Sequence, residues 1–436
     1  MLIVISDLHF TDGTTSNMSA DGKDLFNVSA GAFKLFFEDL AETIKRTNAK
    51  RKGIINEVTL VYNGDIFDPL RTTAWFNHAA DERPWHLPFS ADVQNAVYGH
   101  CRKILVDICG QNEEALGWLN GTAEGIKESW PDGVAIKRVY IPGNHDRILN
   151  QDQQCRQMIH QKLLNQSDTQ VFRNYWEDPD HSTLVLHGHE ADPFNCEYLS
   201  QGSPDYNRIP IGDAMTTMLF ARIGYMAENQ KLAKEAVWRL KEIDNVRPAL
   251  SGIRFVQDII TDFGIEGAMN AILRHIVADF RNLPFYNDWI KRHDKWSSFW
   301  DEADKCQFAL EFIERLGSKL PAGMIEKIAG LTGQDNAMET HAKDQLENYD
   351  RTHADMRYCV FGHTHTPLHA PLYVSNGAEK HYLNSGTFRT AFTQTLDRRS
   401  FLKHKRLSYV VVYRPGEFQG NDYPAYEMWS GIRMND

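Results

Sequence analysis

The sequence predicts an α/β fold. Two patterns carry that expectation: short branched apolar runs recur along the chain and stop abruptly at clusters of Asp, Asn, Gly or His, and helical periodicity fills the stretches between them. Composition agrees. With 42% apolar and 24% charged residues in 436, the chain has a globular balance that excludes a disordered, collagen-like or disulfide-scaffold protein. The length is about three times a domain of roughly 150 residues, which leaves room for two or three units or for one catalytic domain with a large insertion.

The first run, Leu2 to Ile5, is rich in branched residues and ends at Ser6-Asp7, as a buried parallel strand does before its C-terminal loop. Similar runs follow at Val58 to Tyr62, Val139 to Ile141, Leu184 to Leu186 and Tyr358 to Phe361. Helical spacing marks Ala30 to Ile44, through Phe33, Leu35, Phe36, Leu40 and Ile44, and again Val97 to Ile108. From about Pro193 to Tyr349 the β-branched runs give way to Ala, Leu, Ile, Lys and Glu with helical periodicity over 212–244, 251–279, 302–317 and 323–331. This reads as an all-helical insertion. After Gly362 strand patterns return at Leu372 to Val374, His381 to Leu383, Tyr409 to Tyr413 and Ala425 to Trp429, as in an antiparallel closing half. The expected organisation is a first catalytic part over 1–192, a helical insertion over 193–355 and a second catalytic part over 356–436.

A formal net charge of −11 argues against a broad phosphate-neutralising surface, so nucleic acid is not the favoured partner. The six cysteines are scattered with no C-x-x-C pair, which reads as reduced thiols in a cytoplasmic chain. The N-terminus lacks a basic region and reaches Asp7 after a short apolar run, unlike a signal peptide, and no stretch is long enough to span a membrane.

Five polar clusters follow five of the strands in order: Asp7-Leu-His9, Gly64-Asp65-Ile-Phe-Asp68, Gly143-Asn144-His145-Asp146, His187-Gly-His189 and Gly362-His363-Thr-His365. Each offers oxygen or imidazole donors and none offers Cys. That donor set suits Mn, Fe, Zn, Co or Ni and not an iron–sulfur or structural zinc site. Two divalent ions about 3.5 to 4 Å apart repel each other unless a carboxylate bridges them, and Asp65 is the residue best placed to bridge.

At these residues the chain resembles the calcineurin-like metallophosphoesterase superfamily, of bacterial type, whose pattern is D-x-H, G-D-x-x-D, G-N-H-[DE], H and G-H-x-H. The resemblance spans about residues 1–192 and 356–430 and leaves the helical insertion outside. It implies a four-layer β-sandwich of two mixed sheets flanked by helices, with metals at the strand C-termini. It implies that Asp7, His9, Asp65 and His365 hold one ion and that Asp65, Asn144, His187 and His363 hold the other. The ions would be divalent, Mn(II) foremost, with Fe, Zn, Ni or Co as alternatives. The implied chemistry is in-line attack on the phosphorus of a phosphoester by a metal-activated hydroxide. His145 would protonate the leaving oxygen or steady the transition state, Asp146 would orient it, and Asp68 would fix an imidazole or a water.

Other residues stay open at this stage. His189 is either an extra ligand or a partner of the ligands. Arg71 and Arg147, each just past a motif, either clamp phosphate or lie on a solvated surface. The loop Thr73 to Phe89, with Trp75, Phe76, His78, Trp85, His86 and Phe89, either covers the substrate or packs on the insertion. The aromatics between Phe280 and Trp300 are either helix-packing residues or a lid, and the insertion is equally a candidate oligomer interface.

For the substrate, the leading expectation is a small phosphoester or nucleoside-diphosphate-linked metabolite. A second is the lipid-A-pathway UDP-diacylglucosamine pyrophosphatase, which this chain resembles in carrying a helical insertion between the last two motifs. It departs from that family at His145, where the family has Arg, and at His189, where it has Asp. A third is a DNA nuclease of the repair type, which shares Gly-Asp-Ile-Phe-Asp with residues 64–68. A non-enzymatic scaffold ranks last, because every expected ligand position is filled.

Overall fold

The computed structural model describes residues 1–15, 26–51, 55–85, 91–199, 202–247, 251–295, 301–316, 334–352, 355–397, 400–418 and 422–433. The chain is a mixed α/β protein built on two mixed sheets. The strands are β1 (Leu2–Ile5), β2 (Glu57–Asn63), β3 (Ala135–Ile141), β4 (Tyr175–Asp178), β5 (Thr183–Leu186), β6 (Val246–Arg247), β7 (Tyr358–Phe361), β8 (Leu368–Ser375), β9 (Ala378–Asn384), β10 (Phe388–Gln394), β11 (Phe401–Tyr413) and β12 (Ala425–Arg433).

The first sheet runs β3-β2-β1-β11-β10-β6, with β12 paired to β11, and the second runs β4-β5-β7-β9-β8. In the first, β1, β2 and β3 are parallel, and β11 joins β1 antiparallel with Val4 opposite Val410. In the second, β5, β7 and β9 are parallel. Parallel strands are covered on both faces, which is why β1 and β7 read as continuous apolar runs rather than alternations. All four residues of each are buried.

The sheets face each other across a core of Leu2, Val4, Val61, Val410 and Val412 from one and Val185, Val360 and Leu383 from the other. The outer face of the first sheet carries helices α1 (Ala30–Arg51) and α2 (Ala91–Gln111) over a larger core that includes Phe33, Phe37, Leu60 and Leu105. The outer face of the second is covered by the helix Gln334–Thr352, whose Met338, Ala342 and Leu346 pack with Leu184, Cys359 and Phe361. This helix falls inside the expected insertion, yet it packs on the second sheet.

Those helices, among them Lys234–Lys241, Ser251–Phe263, Glu266–Arg281, Pro284–His293 and Glu302–Arg315, form their own core around Leu240, Ile259, Ile272, Phe280 and Trp289. Phe285, Tyr286 and Trp289 are buried there, so the described part of the aromatic stretch serves helix packing. Trp296, Phe299, Trp300 and the helical pattern at 323–331 lie outside the described residues. The stretch is not purely helical, because β6 adds a short parallel strand beside β10 at the edge of the first sheet.

The loop after β2 belongs to both cores. Trp75 is buried in the core behind the first sheet and Trp85 in the core of the insertion helices, and Phe76 meets Tyr225 with ring centroids 4.9 Å apart. That is the packing alternative for this segment; His86 and Phe89 lie outside the described residues. All six cysteines are buried and unpaired. Among the described residues no helix is long and apolar enough to cross a membrane.

Candidate metal centre

The five polar clusters occupy the loops that leave β1, β2, β3, β5 and β7 at their C-terminal ends. Because these strands run parallel within each sheet and the sheets stack, the loops gather at one end of the molecule. The backbone bends sharply there. Asp7, His9, Asp65, His363 and His365 all hold φ between 48° and 67°, a left-handed conformation that costs a non-glycine residue about 1–2 kcal/mol. Five such residues with ionisable side chains in one cluster mark a site that the surrounding fold holds under strain.

The side chains converge in three overlapping groups whose ligand atoms lie within 4.8 Å of one another: Asp7, His9 and His365; His9, Asp65 and His145; and Asp65, His187 and His363. Asp65 Oδ2 sits between two imidazoles, 3.2 Å from His187 Nε2 and 3.7 Å from His9 Nε2. His365 Nε2 lies 3.3 Å from Asp7 Oδ1 and 3.0 Å from His9 Nε2. Asn144 Oδ1 is 3.0 Å from His363 Nδ1.

Backbone and carboxylate partners fix which ring nitrogen faces inward. His187 Nδ1–H donates to the Asn63 carbonyl at 2.8 Å, which turns Nε2 toward the cluster. His9 Nδ1 is held by Asp68 Oδ2 at 2.9 Å, which presents its Nε2 in the same way. His187 Nε2 and Asp7 Oδ1 are both buried without a hydrogen-bond partner. Buried ligand-type atoms left without hydrogen bonds beside such neighbours fit a cation at the cluster. These buried His and Asp groups could hold a metal ion.

The charges respond to the crowding. Burial works against ionisation of Asp7, but the His365 and His9 imidazoles outweigh it and hold the carboxyl well below its usual range. Asp65 behaves likewise beside His187 and His145. Burial also opposes the charged form of His145, yet Asp68 and Asp65 raise the imidazole to about 10.

Several residues differ from expectation. Asp146 does not orient His145. Its carboxylate accepts from the Gly143 and Ile66 amides at 2.6 and 2.8 Å, tying the third loop to the second, and burial together with the Asp65 charge pushes it up to about 6. Asp68 takes the orienting role: Oδ1 meets His145 Nδ1 at 2.9 Å while Oδ2 holds His9. Arg71 and Arg147 are not solvated; both are buried and ion-paired. Arg71 is buried over the Phe26 ring and pairs with Asp244 at 3.0 Å. Arg147 pairs with Asp213 at 2.8 Å and donates to the Tyr206 carbonyl, so both arginines clasp the insertion.

His189 lies buried behind the cluster, its ring centroid 5.5 Å from that of His187 and both nitrogens without a hydrogen-bond partner. Burial pushes its imidazole down to about 4, which keeps it neutral. Asp192, which follows the fourth motif closely, joins the cluster, its Oδ2 3.3 Å from His363 Nε2 and 2.8 Å from Asn195 Nδ2. Its place five residues after His187 was the available signal. Arg406, whose guanidinium reaches the His365 carbonyl at 3.4 Å, had no local signal, since strand pairing alone brings it there.

No protein family and no curated protein matches the chain in sequence.

Proposed function

We propose that the chain is a metal-dependent phosphoester hydrolase with a dinuclear centre, of the calcineurin-like metallophosphoesterase type. The observation that carries this reading is the position of Asp65 Oδ2 between His9 and His187, with Asp7 and His365 on one side and His363 with Asn144 on the other. A carboxylate flanked in this way is what two like-charged ions need in order to sit close together. The layering of helices, two mixed sheets and a further helix agrees with the four-layer sandwich of that superfamily.

Asp7, His9, Asp65 and His365 would hold one ion, and Asp65, Asn144, His187 and His363 the other, with Mn(II) the first candidate. Bound ions there would supply a hydroxide nucleophile near neutral pH and offset charge on the phosphoryl oxygens. The chain's own part rests on His145. Asp68 fixes its Nδ1 at 2.9 Å and the carboxylates keep the ring protonated, so Nε2–H is the donor available to a leaving oxygen. Asp68 thereby couples the placement of that acid to the placement of His9. Asp244 and Asp213 offset the charges of Arg71 and Arg147, so a singly charged diester is the better-matched substrate.

The test is hydrolysis of a chromogenic phosphodiester beside a phosphomonoester by protein stripped of metal and refilled with Mn(II). The expected result is turnover with preference for the diester, and a fall of about 10²- to 10⁴-fold in kcat for His145→Ala with little change in KM. Absence of turnover on both substrates, or a His145→Ala variant as fast as the parent, overturns the reading.

A further inference from the structure

Away from the strand-end loops, the segment after β2 carries a second set of metal-type side chains. His78 ends the turn Thr73–Asn77, Glu82 closes the turn Ala80–Glu82, and His100 projects from α2 against them. One ligand atom from each lies within 4.8 Å of the others. Glu82 Oε2 is 2.9 Å from His100 Nε2, and the His78 and His100 rings lie 3.5 Å apart and nearly parallel. The buried Trp75 indole stands edge-on to His100 at 6.2 Å and backs the group from the core side.

We propose that His78, Glu82 and His100 form a separate binding site for a borderline divalent cation, Zn(II) foremost, whose role is to brace this segment. Three observations carry the proposal. The donor set, two imidazoles and one carboxylate, is the three-ligand set that zinc accepts with a water in the fourth position, and imidazole excludes Mg and Ca as the natural occupants. Ring nitrogens remain for a metal: His100 Nε2 already faces Glu82 while its Nδ1 is buried without a partner, and the described residues offer no hydrogen bond to the His78 ring. The segment also joins two separate cores through Trp75 and Trp85, so a tie between it and α2 would fix one core against the other.

The geometry needs one adjustment. Tetrahedral zinc with bonds of about 2.0 to 2.1 Å places its ligand atoms roughly 3.3 Å apart, so the cluster must tighten. Rotation of the half-buried His78 ring out of its stack on His100 turns a nitrogen toward Glu82. Arg83, the nearest cation in sequence, does not compete for Glu82, because its guanidinium donates to the Trp75 carbonyl and lies over the Phe76 ring.

The experiment is metal analysis of the full chain after stripping and dialysis against buffered Zn(II), comparing the parent with His78→Ala/His100→Ala and with Glu82→Gln. The expected result is one Zn(II) equivalent fewer in the double variant and affinity for that equivalent weakened by more than about tenfold in Glu82→Gln. Zinc should also raise the melting temperature of the parent by more than that of the double variant. Equal zinc content in the parent and both variants overturns the proposal. Hydrolysis by the Mn(II)-loaded double variant should match the parent, so failure of this site and failure of the phosphoesterase reading are separately visible. Should the double variant not fold, Glu82→Gln decides alone: unchanged zinc affinity there rejects the site.

Discussion

Asp65→Asn is expected to abolish phosphoester hydrolysis while leaving the protein folded. Asn tolerates the left-handed backbone that Asp65 adopts at φ 53°, and its Oδ1 still accepts the His145 amide that Asp65 Oδ1 receives at 2.9 Å. What it loses is charge, at the one oxygen placed between His9 and His187. Without that charge two cations have nothing shared to offset their repulsion, and each is worth several kcal/mol to the reaction. At 1.36 kcal/mol per factor of ten, kcat/KM should fall by about 10³-fold or more. Stability without metal should fall by about 1–3 kcal/mol, because the buried His187 and His145 imidazoles lose the carboxylate charge that they face. Kinetics, metal content and thermal unfolding on one preparation check this, and a variant that retains both metal and turnover contradicts the bridging role.

Gly64→Ala has the largest expected effect on the fold of the site. Gly64 holds φ 78°, and a Cβ there would lie 2.2 Å from His187 Nδ1 and 2.8 Å from the Gly143 Cα. His187 cannot move aside without breaking its hydrogen bond to Asn63, and Gly143 is backbone. The left-handed penalty of about 1–2 kcal/mol therefore adds to a clash with no soft partner, for a total loss above about 3 kcal/mol. Gly133→Ala is the matched control. Its φ is 76°, but nothing lies within 4 Å of an added Cβ, so only the backbone penalty applies. Urea unfolding of the two variants should show Gly64→Ala much the less stable and unable to bind metal tightly; equal midpoints would mean that the close packing behind His187 does not matter.

The part of the fold that carries the candidate site was largely legible because its signals are local. Buried parallel strands such as Leu2–Ile5 and Tyr358–Phe361 announce themselves by unbroken apolar residues, and each delivers its candidate ligands within a few positions. Strands without that signature were missed. Tyr175–Asp178 is a short sheet edge with two acidic residues, Phe388–Gln394 mixes Arg and Thr with Phe, and the two-residue β6 exists only through its pairing with β10.

The candidate site was legible in its members but not in its wiring. Which carboxylate faces His145 depends on how the second and third loops dock. Asp146 is the nearer in sequence, yet it turns toward the backbone of its own and the neighbouring loop, and Asp68, on the neighbouring loop, meets the ring. Arg71 and Arg147 looked free because their partners, Asp244 and Asp213, lie in the insertion, far along the chain. Motif spacing can place donors at strand ends; it does not report ion pairs closed by distant helices.

The proposed chemistry rests on two ions sharing Asp65. The most direct measurement is anomalous diffraction from crystals of the parent protein equilibrated with Mn(II). Two peaks about 3.5 to 4 Å apart, one bounded by Asp7, His9 and His365, the other by Asn144, His187 and His363, with Asp65 between them, is the predicted result. A single peak, or peaks that do not touch Asp65, would contradict the account.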